Sequence, residues 1–156
     1  MRRKMVSERQ WAKVAVALDD LGDRPFHLVH EAHSLTQVQA WARRLVDEHA
    51  VQVVVLDYIQ LMGDPQARDR QQEIAYFSRG LKRTARELDV AMVVVSQLSR
   101  APEGRRDKRP QLSDLRESGA LEQDADLVLL LFREEMYKPT EENAGIAEVI
   151  IAKNRQ

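Results

Sequence analysis

The chain contains three stretches in which apolar residues recur at helical spacing. Each stripe would cover one face of a helix, because apolar positions separated by three and four residues lie on the same side. The first predicts a helix over residues 7–21. The second follows Thr36, which stands three positions before Gln39 and so fits a capping box. The stripes are Trp11, Val14, Ala15 and Leu18; Val38, Trp41, Ala42, Leu45 and Val46; and Ile74, Phe77, Leu81, Ala85 and Leu88.

Short apolar runs between these stripes predict strands. Three of them are nearly continuous, which is typical of strands buried on both faces of a parallel sheet. The alternation of strands with amphipathic helices predicts the α/β class, with a mainly parallel sheet covered by helices. The predicted strands are residues 26–29, 51–56, 91–95, 127–132 and 146–151.

Composition places the chain among ordinary globular proteins. Of its 156 residues 44% are hydrophobic and 31% charged, and 24 basic residues nearly balance 25 acidic ones. A chain of this length is typically one domain with a sizeable core. The lack of Cys excludes disulfides, thiolate metal sites and cysteine nucleophiles. No apolar run approaches the ~20 residues of a membrane span, and we therefore expect a cytoplasmic protein.

Polar residues follow the predicted strands at the edge where parallel sheets bind their ligands. Among these residues are Asp57, Gln97 and Arg133. Residues 53–57 are four apolar residues followed by an acid, the pattern of a Walker B site whose carboxylate holds the Mg²⁺ of a nucleotide. Many strands of α/β proteins also end in Asp without binding anything, so this motif alone leaves both interpretations of Asp57 open.

The spacing of residues does not support two other kinds of site. A P-loop needs Gly-x-x-x-x-Gly-Lys-Ser/Thr, and none of the six Lys is preceded by Gly or followed by Ser or Thr. His27, His30 and His33 are three positions apart, whereas helical zinc sites use His at i and i+4. The 156 residues therefore contain no P-loop, and the histidines are better interpreted as scattered surface residues.

Two adjacent segments combine basic residues with a candidate phosphate contact. Residues 100–109 contain five basic and two acidic side chains, a net charge of +3, which suits either a phosphate backbone or a solvated loop. In the next segment Arg116 can pair with a phosphate, and Gly119 allows close approach of the backbone. A helix-start loop with a surface pair between Arg116 and Glu117 is the alternative.

Lys153 and Arg155 follow the last predicted strand. Residues two positions apart on a strand point to the same side. Two cations facing one way would suit a phosphoryl group. A basic terminus is also common in proteins that bind no phosphate.

Taken together, these motifs resemble the bacterial replicative DNA helicases of the DnaB family, in their carboxy-terminal RecA-like motor domain. The match runs in order from about Trp11 to the end of the chain. The resemblance implies a RecA-like P-loop NTPase core. The segments that carry it are residues 55–62, 72–74, 78–82, 96–100, 108–110, 114–119, 122–126 and 153–155.

The resemblance implies roles in ATP hydrolysis for four residues. Asp57 would be the Walker B acid near Mg²⁺, and Gln97 would sense the γ-phosphate and relay its state to the DNA loops. Lys153 and Arg155 would reach the nucleotide of the neighbouring subunit, with Arg155 as the arginine finger. The implied cofactors are ATP and Mg²⁺.

The resemblance also implies a DNA contact and an assembly. Arg116, Glu117 and Gly119 match the loop that touches the single-stranded DNA backbone in this family. The family forms a ring of six identical subunits that hydrolyses nucleoside triphosphate, moves along one strand and unwinds duplex DNA. Primase and a helicase loader are further expected partners through parts of the family protein that this sequence lacks, and no membrane is expected.

Some parts of the family have no match in this sequence. The P-loop and the catalytic Glu precede the segment that matches residues 1–15, as does the amino-terminal collar domain, and the family usually continues beyond Arg155. We therefore expect residues 1–156 to form a single partial motor domain. The family's P-loop strand lies between the strands that match residues 91–96 and 127–132. Its absence should expose two strand edges, so the isolated chain should be weakly stable, pair with another chain or rearrange.

Three functions remain open at this point. A helicase fragment would hydrolyse ATP only together with a separate amino-terminal piece. A catalytically inactive paralogue would bind DNA or a helicase ring without hydrolysis. A different RecA-like ATPase, such as a recombinase or a clock-type ATPase, is disfavoured by residues 114–119 and 122–126.

Overall fold

The computed structural model describes residues 7–22, 24–63 and 69–155, with the backbone alone for residues 116–118. The chain divides into two compact units, Met1–Glu31 and Ala32–Gln156. The first unit contains helix α1 (Glu8–Gly22), as its apolar stripe predicts. No residue of α1 is buried, so its apolar face contributes to no core among the described residues.

The strand predicted at residues 26–29 is wrong, because this segment is irregular backbone. An apolar run becomes a strand only where a second strand pairs with its backbone groups. No described strand pairs with this segment, and its apolar side chains Phe26 and Leu28 are exposed.

Helix α2 (Leu35–His49) begins the second unit. The Ser34 hydroxyl accepts from the backbone nitrogen of Gln37 (3.3 Å), and the Gln37 side-chain oxygen accepts from the backbone nitrogen of Ser34 (3.1 Å). The capping box predicted at Thr36 and Gln39 is therefore wrong by two residues. Both pairs fit the pattern, and only the observed helix start decides between them.

Helix α3 (Arg70–Leu88) packs against a parallel pair of strands, β1 (Val53–Leu56) and β2 (Ala91–Val94). Asp69 caps the helix by accepting from the backbone of Gln71 (3.1 Å). The first hydrophobic core lies between α2, α3 and this pair, so both helices lie on one face of the strands. Its buried members are Leu35, Val38, Ile59, Met62, Ile74, Phe77 and Leu81.

Helices α2 and α3 approach closely at Gly80. A Cβ atom at this position would overlap the Leu35 side chain, with Cδ1 only 2.9 Å away. Leu35 is itself buried in the core, so glycine is needed here for close packing. The Gln39 amide of α2 also donates to the buried Thr84 hydroxyl of α3 (2.9 Å).

Strands β3 (Leu127–Phe132) and β4 (Glu148–Asn154) form an antiparallel hairpin. The last strand was predicted at residues 146–151, but pairing with Leu127 extends it to Asn154. Two short helices precede the hairpin, α4 (Ala101–Gly104) and α5 (Gly119–Asp124). The second core lies beneath the hairpin, with buried Leu115, Val128 and Leu130 and, packed against them, Leu98, Leu112, Ala125, Ile150 and Ala152.

The described strands form two separate two-stranded sheets, β1–β2 and β3–β4, so β2 and β3 each pair on one side only. Burial on both faces, which the apolar runs predict, is wrong for these strands. Val55 is 62% exposed and Leu131 is 70% exposed, whereas Leu130 faces the second core and is 3% exposed. Side chains on alternate faces of a strand have different neighbours, and helices cover one face only.

The combination of helices with a parallel strand pair is the predicted α/β class. The second unit has no single continuous sheet among its described strands, because the parallel pair and the antiparallel hairpin are not hydrogen-bonded to each other. In the part of the chain that the structure describes, no helix is long and apolar enough to cross a membrane.

Candidate functional site

The carboxyl ends of β1 and β2 lie at the same edge of the parallel pair, because Leu56 is paired with Val94. Asp57 follows β1 directly, and Gln97 lies just beyond β2. Both side chains are exposed. Within residues 7–22, 24–63 and 69–155, Asp57 forms no hydrogen bond or ion pair. The structure therefore places an available carboxylate and an amide side chain at the edge that the sequence predicts.

A side chain from the corner after β1 connects the two strand ends. Gln60 Nε2 donates to the Ser96 hydroxyl (2.9 Å), and Gln60 Oε1 accepts from the backbone nitrogen of Gln97 (3.2 Å). The Gln60 amide thus fixes the backbone position of Gln97. No sequence motif assigns Gln60 a role, and the only signal that points to it is its position within residues 55–62.

The corner that carries Gln60 is held on two sides. The Ile59 side chain is fully buried, and its backbone nitrogen donates to the carbonyl of Val95 (3.0 Å). On the other side, the Arg70 guanidinium donates to the carbonyls of Gln60 (2.6 Å) and Met62 (3.0 Å). Because the backbone is bonded to both β2 and α3, the Gln60 side chain starts from a fixed position.

The basic segment after β2 is folded rather than an open loop. Asp114 is 3% exposed; it pairs with the guanidinium of Arg105 and accepts from the backbone nitrogen of Gln111 (2.7 Å). The carbonyl of Asp114 accepts from the backbone nitrogen of Ser99 (3.0 Å). Residues 99–114 therefore close on themselves, and part of their positive charge is used inside the chain.

Arg109 joins this segment to the β3–β4 hairpin. Its Nε and Nη2 donate to the two carboxylate oxygens of Glu148 (3.0 and 2.7 Å), and its guanidinium lies 5.0 Å from the ring centre of Phe132. The hydrogen bond to Glu148 raises the pKa of Arg109 above its usual value. The side chains of Arg100 and Arg106, in contrast, form no hydrogen bond or ion pair with the described residues. Two cations of the segment thus stay available to a ligand.

The residues predicted to contact DNA follow this segment directly. Arg116 and Glu117 lie in the 3-10 segment Leu112–Ser118, but their side chains lie outside what the structure describes. Gly119 begins α5, and a Cβ atom there would meet no described atom within 4 Å apart from its chain neighbours and the backbone of its own helix. Packing among the described residues therefore does not require glycine at this position.

Lys153 and Arg155 lie together at the carboxyl end of α5. Lys153 Nζ donates to the carbonyls of Glu122 (2.6 Å) and Gln123 (3.2 Å), and Arg155 Nη2 donates to the same Gln123 carbonyl (3.0 Å). The last carbonyls of a helix have no partner within it and carry partial negative charge. The two cations therefore share one binding place, on the helix that begins at Gly119.

Helix α3 holds the other side of this helix end. The Ser78 hydroxyl donates to the Asp124 carboxylate (2.6 Å), and Lys82 pairs with Asp126. The hydrogen bond from Lys82 lowers the pKa of Asp126 below its usual value, and Arg155 also contributes. The residues that precede β3 are thus bound to α3 on one side and to the two predicted trans-acting cations on the other.

The strand-end residues and the two cations are not connected directly. Among the described residues no hydrogen bond or ion pair joins Asp57 or Gln97 to Lys153 or Arg155. No group of three or more His, Cys, Asp or Glu side chains that could hold a metal ion occurs in that part of the chain. A divalent cation at Asp57 would therefore take further ligands from a bound phosphate or from water, as Mg²⁺ commonly does.

Comparison with known sequences identifies close relatives over the whole chain. A family model described as "DnaB-like helicase C terminal domain" matches residues 1–156. The replicative DNA helicase DnaB of Leifsonia xyli is 43% identical over 99% of the chain, and that of Geobacillus stearothermophilus is 41% identical over 99%. The chain spans 34% and 35% of these two proteins, about a third of their length.

Solved structures with the same fold agree with this result. One solved ATPase domain has a TM-score of 0.87 and 42% identity, with 99% of this chain and 56% of that chain covered. A DnaB-like replicative helicase, described with its interactions with primase, has a TM-score of 0.87 and 40% identity, covering 99% of this chain and 38% of that one. This chain therefore matches only part of each of the two solved chains.

Proposed function

The chain belongs to the family of DnaB-like helicase C-terminal domains, and from that premise we propose that it is part of an ATP-driven motor that unwinds duplex DNA. The observation that carries the proposal is the edge formed by β1 and β2. There the Asp57 carboxylate, which is unpaired among the described residues, follows β1, and Gln97 follows the neighbouring strand β2 at the same edge. In a parallel sheet this edge is where ligands bind.

The nucleotide is proposed to bind at this edge. Asp57 would hold Mg²⁺ together with the phosphates of ATP, because one carboxylate with phosphate and water ligands suits this ion. The exposed amide of Gln97 would contact the γ-phosphate and report its presence. The bound Mg²⁺ and ATP supply the scissile phosphoryl group and its charge neutralisation.

Lys153 and Arg155 are proposed to act on the nucleotide of a neighbouring identical subunit in a ring of six. Their joint position at the end of α5 supports this, because it keeps the two cations together and partly exposed. An arginine supplied from a second chain stabilises the charge of the phosphoryl-transfer transition state.

Single-stranded DNA is proposed to bind at Arg116, Glu117 and Gly119. The open space where a Cβ atom of residue 119 would lie, among the described residues, supports the proposal, since it leaves room for a phosphate to approach the backbone. Arg100 and Arg106 precede this segment as available cations and would add sequence-independent affinity for the backbone.

The P-loop, the catalytic glutamate and the contacts with primase or a loader would require segments outside residues 1–156. The 156 residues contain no P-loop sequence and span about a third of the relatives, 34% in Leifsonia xyli. We propose that residues 1–156 form one partial motor domain, and that a preceding segment supplies the P-loop and the catalytic glutamate. One of the two structural relatives interacts with primase; a primase or helicase-loader contact of this protein would use such additional parts.

The proposal is tested by coexpressing the chain with the part of the Geobacillus stearothermophilus helicase that precedes its matched region, here named the complementing segment. ATP hydrolysis is measured with and without single-stranded DNA, for the chain alone, for the segment alone and for the coexpressed assembly. The proposal is supported if DNA stimulates ATP hydrolysis in the coexpressed assembly but neither the chain nor the segment hydrolyses ATP by itself. Asp57→Asn is the matched loss-of-function variant.

The same experiment addresses the second candidate function, a catalytically inactive paralogue that binds DNA or a helicase ring. No hydrolysis by an assembly that forms and binds ATP would favour that function over a split motor. Hydrolysis by the chain alone would contradict the view that the P-loop must come from elsewhere.

A further inference from the structure

We propose that Gln60 is a positioning residue that sets the backbone of Gln97 and thereby couples the nucleotide edge to the DNA-binding segment. The inference rests on the proposed function of Gln97 and goes beyond it, because Gln60 itself touches neither nucleotide nor DNA in that proposal. Its basis is the pair of hydrogen bonds from the Gln60 side chain to Ser96 (2.9 Å) and to Gln97 (3.2 Å).

The two bonds use both polar groups of the Gln60 amide. Gln60 donates through Nε2 to the Ser96 hydroxyl and accepts through Oε1 from the backbone of Gln97. A carboxylate here could still accept from both partners, because the Ser96 hydroxyl can donate as well as accept. Leu offers neither a donor nor an acceptor, so Gln60→Leu removes both bonds.

The Gln60 main chain is firmly held, so its side chain can position another residue. Arg70 donates to the Gln60 carbonyl (2.6 Å), and the neighbouring Ile59 is fully buried. The side chain thus extends from a rigid corner between β1 and α3 to the exit of β2. No other described side chain bonds the backbone nitrogen of Gln97.

The exit of β2 leads directly into the segment that precedes the DNA-binding residues. Ser99 donates its backbone nitrogen to the carbonyl of Asp114 (3.0 Å), two residues before Arg116. A change in the backbone at Gln97 would therefore be transmitted over a short, hydrogen-bonded path. Loss of the Gln60 bonds should loosen this path without removing any group from the nucleotide.

The test uses the coexpressed assembly with Gln60→Leu and Ser96→Ala. Gln52→Leu is the matched control, because it makes the same chemical change at the exposed residue before the other end of β1. kcat and KM for ATP are measured with and without single-stranded DNA. Each variant is also combined with Gln97→Ala in a double-mutant cycle.

Gln60→Leu should lower the DNA-stimulated kcat by up to about tenfold, the range expected for one or two intramolecular hydrogen bonds, and should leave the KM for ATP nearly unchanged. Ser96→Ala should have a smaller effect in the same direction, and Gln52→Leu none. In the Gln97→Ala background Gln60→Leu should cause no further loss, because its effect is exerted through Gln97.

Three other outcomes would overturn the inference in distinguishable ways. Full DNA stimulation in Gln60→Leu overturns this inference alone. A loss that is additive with Gln97→Ala, or accompanied by an equal rise in KM, indicates a general structural role and also overturns it. An unmodified assembly that shows no DNA-stimulated hydrolysis overturns the proposed function, and this inference with it.

Discussion

The ammonium group of Lys153 donates a 2.6 Å hydrogen bond to the carbonyl oxygen of Glu122, in the last turn of α5. Arg155 donates to the adjacent carbonyl of Gln123 (3.0 Å). This helix begins at Gly119, the last of the proposed DNA-binding residues. A single helix of six residues thus connects the proposed DNA-binding residues to the two cations proposed to act in a neighbouring subunit. A displacement at one end of this helix would therefore displace the other end.

The first prediction concerns Arg155. Arg155→Ala should lower the DNA-stimulated kcat of the coexpressed assembly by roughly 10³–10⁵-fold, as expected for an arginine supplied in trans. Arg155→Lys should restore little, because an ammonium group lacks the planar fork of the guanidinium. Steady-state ATP hydrolysis measures both.

The control for this prediction is Arg9→Ala, which removes an exposed arginine of α1 and should leave kcat unchanged. A kcat in Arg155→Ala within a few-fold of the unmodified assembly would exclude Arg155 as the finger. A mixture of Arg155→Ala chains with Asp57→Asn chains should recover part of the activity. At some subunit interfaces the intact Asp57 of one chain would then meet the intact Arg155 of its neighbour.

The second prediction concerns DNA binding by Arg116. Arg116→Ala should weaken binding of single-stranded DNA and lower the dependence of log K on log salt by about one phosphate contact, a slope change of about 0.7. Fluorescence anisotropy of a labelled oligonucleotide at several salt concentrations measures the slope. Lys13→Ala, which removes an exposed cation of α1, is the control; an unchanged slope in Arg116→Ala would remove Arg116 from the contact.

The third prediction concerns the pH dependence of the Lys82–Asp126 pair. The pKa of Asp126 is lowered in the folded chain by the hydrogen bond from Lys82. The pair therefore stabilises the fold at pH values above the ordinary pKa of an Asp side chain, about 3.9, and this stabilisation is lost as the pH falls through the lowered value.

Titration of the Asp126 carboxyl carbon by NMR should show a pKa below the ordinary range. Lys82→Met should raise this pKa, whereas Lys13→Met should leave it where it is, because the charges that act on Asp126 are those of Lys82, Arg155 and Arg86. An Asp126 pKa that does not respond to Lys82→Met would show that the ion pair does not persist in solution.

The fourth prediction concerns the stability of the isolated chain. β2 and β3 each have one unpaired edge among the described strands, and Val55 and Leu131 lie on exposed apolar faces. Open edges and apolar faces favour association and loose packing. The chain alone should therefore melt over a broad range of temperature, or self-associate, and the complementing segment should make the transition cooperative.

Circular dichroism melts at several chain concentrations, together with sedimentation, test this prediction. A sharp, concentration-independent transition of a dilute monomer would show that the two hydrophobic cores are sufficient without further strands. Such a result would also weaken the proposal that the chain is a partial domain.

Local patterns in the sequence were sufficient to predict several elements. The stripe from Ile74 to Leu88 predicts α3, and the apolar run that ends at Asp57 predicts β1 with its acid at the sheet edge; both are confirmed in position. The spacing of Lys153 and Arg155 predicts that they face one way, and they share the Gln123 carbonyl. These features depend on periods of about two and 3.6 residues, which neighbouring positions alone define.

Features that depend on distant partners were not predictable in the same way. Two overlapping capping boxes fit the start of α2. The helix begins after Ser34, and its first residue, Leu35, packs in the core against α3. The apolar run at residues 26–29 has no described strand to pair with. Arg109 was one of several cations in a basic segment until the structure placed it against Glu148, 39 positions away.

The sequence by itself thus determined the α/β class, the order of most elements and the family, because these follow from local periodicity and from motifs in fixed order. Only the tertiary structure decided which groups contact each other: Gln60 holds the backbone of Gln97, and Lys153 and Arg155 donate to the last carbonyls of α5. It also decided that one face of the strands stays exposed. The physical reason is that a hydrogen bond or a packed face needs a partner, and the chain brings that partner from tens of residues away only when it folds.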